Sequence, residues 1–279
     1  MVQTLADEPA GSERGVLLGF RRNCARLLSR HLRGREFGWA DLGRELDRCA
    51  TPVPFWWRDD DAVADTPALA ALLDLRTELG VPLALAVIPA QVEASLVERL
   101  KDEGRVSVLQ HGWDHMNHAA AGAPKSEYPA GRRAVEVQAQ VTEGRERLEA
   151  RFPARFLRVF VPPFNALDES CVAPLRAVGL RHLSLSTDFA GLDLPSRNVH
   201  ADVIDWRLGR AVPAAKAIRS VILALRLRRF GLVEAARPIG VLTHHLVHDD
   251  GIWSLARELL GRLQQHENAV FVPIEQVFA

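Results

Sequence analysis

The sequence predicts an α/β protein built around a parallel sheet. From about residue 52 onward, short apolar runs alternate with segments of helical length. The runs are VPFWW, PLALAVI, VSVL, FLRVFV, RHLSLS, DVIDW, IGVLT and AVFV. Seven or eight strands that alternate with helices form a parallel sheet, which is either open or closed into a barrel.

The clearest helix is expected over residues 67–79. Thr66 can cap its start, Pro67 suits the first helical position, and Gly80 can end it. Four leucines then fall near one face of this helix, and they are Leu69, Leu72, Leu73 and Leu79.

Residues 1–48 read as an N-terminal helical extension, and residues 49–279 as the main domain. Residues 13–48 have the pattern of one or two amphipathic helices, with arginines around an apolar side made of Leu17, Phe20, Leu27 and Leu28. This extension is either packed on the main domain or a dimerisation arm. Packing is the interpretation we favour, and the sequence predicts no oligomeric state.

Charge and cysteine content exclude several classes of protein. The chain has 279 residues, and its 35 basic residues balance its 35 acidic residues. Zero net charge argues against a nucleic-acid binder that depends on phosphate contacts. Three cysteines without CxxC spacing indicate neither a disulfide framework nor a thiolate zinc site. With no signal-like or membrane-spanning run, the sequence predicts a cytoplasmic protein without a membrane partner.

Polar side chains collect directly after the predicted strands. RDDDA follows PFWW, QHGWDH follows VSVL, PPFN follows VFV, and HHLVHDD follows GVLT. Five of the ten histidines lie in two of these segments, and a sixth, His118, follows one of them closely. Parallel α/β folds build their sites at the carboxyl ends of the strands, so we expect these segments to meet.

The segment HGWDH is a candidate metal site. His111 and His115 are four positions apart, and His118 follows three positions later. The zinc-protease motif needs Glu directly after the first histidine, and Gly112 occupies that position here. The alternative interpretation is a solvated loop with exposed histidines.

The consecutive aspartates Asp59, Asp60 and Asp61 repel one another unless a cation or arginine compensates them. They are either a capped, solvated turn, or a metal ligand beside a general base. The segment HHLVHDD, with His244 and His248 also four positions apart, is a possible second metal site or the source of a catalytic histidine. Its alternative interpretation is a capped loop.

Taken in order, DDD, HGWDH, VPPFN, DVIDW and LTH resemble the motifs of the polysaccharide deacetylase family over roughly residues 53–275. The resemblance implies a distorted (β/α) barrel, expected to be seven-stranded. It also implies an enzyme that removes an N- or O-linked acetyl group from a carbohydrate. One divalent metal ion is implied, with Zn²⁺ as first choice and Co²⁺, Ni²⁺ or Mn²⁺ as alternatives.

Carried over residue by residue, the resemblance implies that Asp61, His111 and His115 bind the metal. Asp60 matches the catalytic base, although the aspartate triplet leaves the register open by one residue. His244 matches the catalytic acid, with His245 as the alternative, and His118 takes no ligand role.

Further residues are expected to shape the substrate pocket. The resemblance implies that Asp205 orients the catalytic histidine and that Trp206 walls the pocket. A backbone N–H near Pro163 and Phe164 is expected to stabilise the oxyanion. Trp113 is a candidate for stacking on a sugar ring, although core packing is the alternative role for the tryptophans.

The sequence departs from the family pattern in one loop. Val161 stands where the family has an arginine that holds the base, and Phe164 stands where it has a tyrosine. We hypothesise that Arg58 supplies the missing positive charge; unchanged turnover and pH profile in Arg58→Ala would contradict this. The departures keep two other functions open, a catalytically silent glycan-binding protein and a metal-dependent amidase that acts on a non-sugar substrate.

Overall fold

The computed structural model describes residues 23–186 and 194–279. Its main sheet has eight strands, and every pair of neighbours is parallel. The strands are β1 (Val53–Ala62), β2 (Leu83–Val87), β3 (Val106–His111), β4 (Phe156–Val161), β5 (His182–Leu183), β6 (Val199–Asp202), β9 (Ile239–Thr243) and β10 (Ala269–Phe271). A separate antiparallel pair consists of β7 (Ile204–Asp205) and β8 (Arg210–Ala211).

Seven strands follow one another around the sheet in the order β5, β4, β3, β2, β1, β9, β6, and β10 pairs with the start of β1. Hydrogen bonds join the two edges of this path. The Leu183 N–H donates to Pro195 O, and the Val199 N–H donates to Leu185 O, at 2.9 and 2.8 Å. The sheet therefore closes into a distorted (β/α) barrel, which confirms the predicted fold class.

The helices lie around the sheet, and most of them connect its strands. A helix occupies residues 23–32 (α1). The others are α2 (Trp39–Asp47), α3 (Pro67–Leu79), α4 (Ala94–Leu100), α5 (Ala134–Arg151), α6 (Val172–Ala177), α7 (Ala214–Arg229), α8 (Asp250–Gln264) and α9 (Ile274–Val277). In α3 the Thr66 hydroxyl accepts the Leu69 N–H, and Gly80 ends the helix in the left-handed conformation, as predicted.

Alternate residues of β1 pack into two separate cores. Trp56 of β1 packs inside the barrel against small or branched residues of the neighbouring strands. Residues of α9 belong to the same cluster. Phe55 and Trp57 point outward into the larger core between the sheet and the helices. This period-two alternation decides which side chains of β1 can enter the barrel.

Two predicted strands differ from the structure. The aspartate triplet lies within β1 rather than after it, because β1 continues to Ala62 through an irregularity between Asp59 and Ala62. The run DVIDW is not one strand, since Val203 separates β6 from β7 and the chain then turns into β8.

The described part of the N-terminal extension packs on the main domain. Glu45 of α2 is buried and lies 2.5 Å from Arg226 and 2.8 Å from Arg229 of α7. Leu17 and Phe20 lie outside the described residues, and Leu27 is 63% exposed. The division at residue 48 stays a prediction.

None of the helices in the described ranges combines the length and apolar character needed to cross a membrane.

Candidate active site

A cavity of about 560 Å³ opens at the carboxyl ends of the barrel strands. Its lining residues come from all five of the motif segments DDD, HGWDH, VPPFN, DVIDW and LTH, and from the chain around them. They are Asp60, Asp61, His111, His115, Lys125, Phe164, Asn165, Ser186, Asp202, Trp206 and His244. Residues up to 184 positions apart in sequence therefore share one cavity, as the strand-end argument predicts.

Asp61, His111 and His115 form the one three-residue cluster of metal-binding geometry among the described residues, and their ligand atoms lie within 4.8 Å of one another. Asp61 Oδ1 lies 3.0 Å from His111 Nε2 and 3.3 Å from His115 Nε2. Two imidazoles and one carboxylate are a donor set for zinc and similar ions, and they leave coordination positions open. The placement agrees with the predicted ligand set.

The surroundings of His111 prepare its Nε2 for a cation. His111 Nδ1 lies 3.0 Å from Val161 O. Because a carbonyl oxygen can only accept, Nδ1 must carry the proton, and Nε2 is left with a lone pair in the neutral ring. Burial raises the pKa of Asp61, but the hydrogen bond and charge of His111 outweigh it and hold that pKa well below its ordinary value. The cluster thus presents an ionised carboxylate and an oriented imidazole.

Glu127 holds the loop that carries His115, and sequence reasoning missed it. Its carboxylate is buried and accepts three backbone N–H groups. Oε1 accepts from Trp113 at 2.8 Å and Asp114 at 3.2 Å, and Oε2 accepts from His115 at 3.1 Å. Burial raises the pKa of Glu127, partly opposed by these bonds. No motif in the sequence marks a Glu twelve residues after His115 as part of the site, because only the folded loop places it against residues 113–115.

Backbone strain concentrates around the cavity. Five non-glycine residues in the described ranges have positive φ, and four of them line the cavity, at Asp61 (72°), His115 (63°), Phe164 (60°) and Asn165 (50°). Such conformations cost free energy and collect at functional sites. Two of the four are proposed metal ligands.

Asp60 and Arg58 lie on the inner face of β1, and both are buried. Arg58 Nε lies 2.9 Å from Asp60 Oδ1, and Arg58 Nη2 donates to Asp60 Oδ2 at 3.0 Å. The guanidinium also donates to Ser184 Oγ at 2.6 Å and to Asn165 Oδ1 at 3.0 Å. Arg58 therefore stands where the hypothesis requires it, beside the residue that matches the base.

His244 faces the cavity opposite the metal-binding cluster. Its Nε2 lies 3.7 Å from Asp60 Oδ2, and its ring meets the Trp206 ring edge to face with centroids 4.6 Å apart. His244 Nδ1 is buried, without a hydrogen-bond partner in the described part of the chain. An imidazole beside a buried carboxylate is an arrangement suited to proton transfer.

Asp205 does not lie where the resemblance places it. Its carboxylate accepts the N–H groups of Arg207 at 3.2 Å and Leu208 at 3.3 Å, and so it caps the turn between β7 and β8. Asp202 lines the cavity instead and accepts the Trp206 indole N–H at 2.9 Å. Burial raises the pKa of Asp202, and the charge of His244 opposes that rise. The break between β6 and β7 is the physical reason for this exchange.

His245 points away from the cavity, to the outer side of the barrel. Its Nδ1 lies 2.5 Å from Asp59 Oδ1, and both side chains are fully buried. Burial works against the charge of either group, but their mutual attraction prevails, so the pKa of Asp59 is lowered and that of His245 is raised. In position, therefore, His244 and not His245 matches the acid, and Asp60 and Asp61 match the base and ligand.

Two other predicted site residues, Trp113 and Pro163, lie outside the cavity lining, and so does His118. The Arg147 guanidinium stacks over the Trp113 ring, with Arg147 Cζ 4.9 Å from the ring centroid. Pro163 is buried, and its ring lies against Gly112, so close that a Cβ at Gly112 would overlap it. His118 is an exposed loop residue.

No protein-family model matches this sequence, and no curated protein matches it either. Solved structures do match. One is a protein from Mycobacterium smegmatis described as a candidate polysaccharide deacetylase, at 14% identity and a TM-score of 0.55 over 88% of this chain and 92% of that one. The Bc1960 peptidoglycan N-acetylglucosamine deacetylase matches at 17% identity and a TM-score of 0.52 over 82% and 89%.

A third match is a family 4 acetyl xylan esterase from Clostridium thermocellum in complex with a cobalt ion. It is 14% identical, with a TM-score of 0.51 over 81% of this chain and 90% of that one. The chain has the polysaccharide deacetylase fold. At these identities the likeness concerns the fold alone.

Proposed function

We propose that this protein is a metal-dependent deacetylase that hydrolyses an N- or O-linked acetyl group of a carbohydrate. One observation carries the proposal. The Asp61, His111 and His115 cluster shares a cavity with Asp60 and His244, which can accept and donate protons.

The three ligand residues fit a divalent metal ion, because their donor atoms converge and the contact of His111 Nδ1 with Val161 O turns His111 Nε2 towards the site. Zn²⁺ is our first choice, and Co²⁺, Ni²⁺ and Mn²⁺ accept the same ligands. When bound, such an ion polarises the acetyl carbonyl and acidifies water.

The side chains around this cluster divide the proton transfers between them. Asp60 accepts the proton of the attacking water, and Arg58 keeps its carboxylate in place. His244 donates a proton to the leaving nitrogen or oxygen, so that acetate and the free amine or alcohol separate. The Phe164 N–H is our candidate donor to the oxyanion.

The walls of the cavity suit a sugar ring. Trp206 is 55% exposed and Phe164 also lines the cavity, so both offer ring faces or edges to a substrate. We assign to Asp202, rather than Asp205, the role of holding Trp206 against His244, since Asp202 accepts the indole N–H.

Acetate release tests this function. Metal-free protein is reloaded with one equivalent of Zn²⁺ or Co²⁺ and incubated with acetylated chitooligosaccharides and with acetylated xylan. We expect metal-dependent acetate release from at least one of them, and its loss in Asp60→Asn.

Two outcomes would contradict the proposal in different ways. A protein that binds one metal ion and an oligosaccharide but releases no acetate is a silent glycan-binding protein. Release only from acetylated amines that lack a sugar indicates an amidase with a different substrate.

A further inference from the structure

The proposed chemistry leaves two buried side chains without a role, the first aspartate of the triplet, Asp59, and the second histidine of HHLVHDD, His245. Asp59 Oδ2 accepts the Thr243 hydroxyl at 2.6 Å and the His245 N–H at 3.0 Å, and Asp59 Oδ1 contacts His245 Nδ1. Neither side chain lines the cavity. The pair lies on the outer side of the barrel, and Asp59 accepts the backbone N–H of the residue directly after His244.

Asp59 joins the two strands that carry the proposed acid and base. It is paired in register with Thr243, the last residue of β9, and His244 follows immediately. The same strand β1 carries Asp60 and Asp61. A bond from Asp59 to the chain on either side of His244 therefore fixes the distance between acid and base.

The remaining contacts of His244 hold it less completely. Its N–H donates to His248 Nε2 at 3.2 Å, and its carbonyl accepts the Val247 N–H at 3.1 Å. The side chain has the Trp206 edge contact but no hydrogen bond at Nδ1 in the described part of the chain. Because the ring is not tethered through Nδ1, its direction depends on the backbone that Asp59 and His245 hold.

We propose that Asp59 and His245 are positioning residues that aim His244 at the leaving atom of the substrate from outside the barrel. This inference rests on the proposed function. A misplacement of about 1 Å in a catalytic group can cost on the order of 100-fold in rate.

A positioning role through the acid predicts dependence on the leaving group. An amine leaves an acetamide only with a proton, whereas 4-nitrophenolate leaves 4-nitrophenyl acetate without one. Loss of the pair should therefore slow deacetylation of an N-acetylated chitooligosaccharide far more than hydrolysis of 4-nitrophenyl acetate.

The test compares Asp59→Asn, His245→Gln, His244→Ala and the double variant Asp59→Asn/His244→Ala, all loaded with metal. For Asp59→Asn and His245→Gln we expect kcat on the oligosaccharide to fall roughly 10- to 100-fold. KM, metal stoichiometry and the rate with 4-nitrophenyl acetate should change less than about threefold. Asp59→Asn should add little to His244→Ala, because residues that act through one group are not additive.

Asp47→Asn is the matched control. Asp47 Oδ1 lies 3.3 Å from His266 Nε2, so this variant removes an aspartate–histidine pair remote from the cavity, and we expect unchanged rates. His245→Gln keeps the test open if Asp59→Asn does not fold.

Equal loss on both substrates, or full additivity with His244→Ala, would overturn the inference. Crystal structures of the native protein and Asp59→Asn give a readout that needs no activity. We expect the His244 ring to leave its place beside Asp60 and Trp206, and an unmoved ring would also overturn the inference. No acetate release by the native protein from any acetylated carbohydrate would instead contradict the proposed function.

Discussion

The chain contains two segments with histidines four positions apart at the end of a barrel strand, and only one of them builds a candidate metal site. His111 and His115 follow β3, and His244 and His248 follow β9. The first pair converges on a carboxylate. In the second pair the His248 ring accepts the N–H of His244, so one imidazole supports the backbone of the other.

The backbone explains the difference. Gly112 and His115 both have positive φ, at 59° and 63°, and this turns the loop so that both rings face Asp61. After His244 the chain enters a 3-10 turn over His245–Val247, which sends His245 to the outer side. Histidine spacing alone therefore does not indicate a metal site; the backbone conformation and a facing carboxylate decide it.

Removal of a proposed ligand histidine from the first segment should have the largest effect, because it should abolish the metal site that the second segment lacks. We expect His111→Ala and His115→Ala each to lower bound metal towards zero, because each removes one of three ligands. Elemental analysis of protein dialysed against limiting Zn²⁺ measures the metal content. His118→Ala and His248→Ala are the controls and should keep one equivalent. A full equivalent retained in His111→Ala would show that the ligands are assigned wrongly.

Gly112→Ala tests the turn by which the first histidine segment differs from the second. A Cβ at this position would overlap Glu127 Oε2 and Pro163 Cγ, and φ is positive. Strain and overlap together should cost on the order of 2–5 kcal/mol in the free energy of unfolding. Urea unfolding measures it. Gly122→Ala has the positive φ (81°) with open space around it, so its smaller cost isolates the backbone part. Equal costs in both variants would refute the steric explanation.

Glu127→Gln tests a further difference between the two segments. The buried Asp59 carboxylate accepts one backbone N–H of the second segment, whereas Glu127 accepts three in the first. The amide cannot accept all three N–H groups, and the NH₂ would face at least one of them. We expect metal affinity to fall about 10- to 100-fold, as for outer ligand-supporting residues in general. Competition titration with Co²⁺ gives the affinity. Unchanged affinity with a weakened fold would make Glu127 a purely structural residue.

The smallest effect concerns pH and His248. Burial, which is the largest cause, lowers its pKa to about 4 from an ordinary 6.5. The folded state therefore binds fewer protons than the unfolded state between these values, so stability is lost as pH falls from about 6.5 to 4. In His248→Gln the free energy of unfolding should depend less steeply on pH in this window. The difference in slope should correspond to the uptake of up to about one proton fewer on unfolding. Parallel slopes for both proteins would contradict it.

Much of the candidate site could be predicted from the sequence because strand ends of a parallel sheet meet at one edge. Asp61, His111 and His115 lie together as expected, and Arg58 reaches Asp60. Glu127 and Asp202 could not be selected in this way. Glu127 acts through backbone N–H groups that have no residue signature, and Asp202 enters the cavity only because the chain breaks between β6 and β7.

The parallel α/β architecture and the strand ends that carry polar side chains can be predicted from the sequence, because apolar periodicity and motif order are local properties. The sequence left open which of three aspartates and which of two adjacent histidines face the cavity. Only the tertiary structure decided this. Neighbouring residues on a regular strand point to opposite faces, so the register of β1 against β9 sends Asp60 and His244 inward and joins Asp59 to His245 outside. The irregularity between Asp59 and Ala62, with positive φ at Asp61, brings Asp61 to the cavity as well.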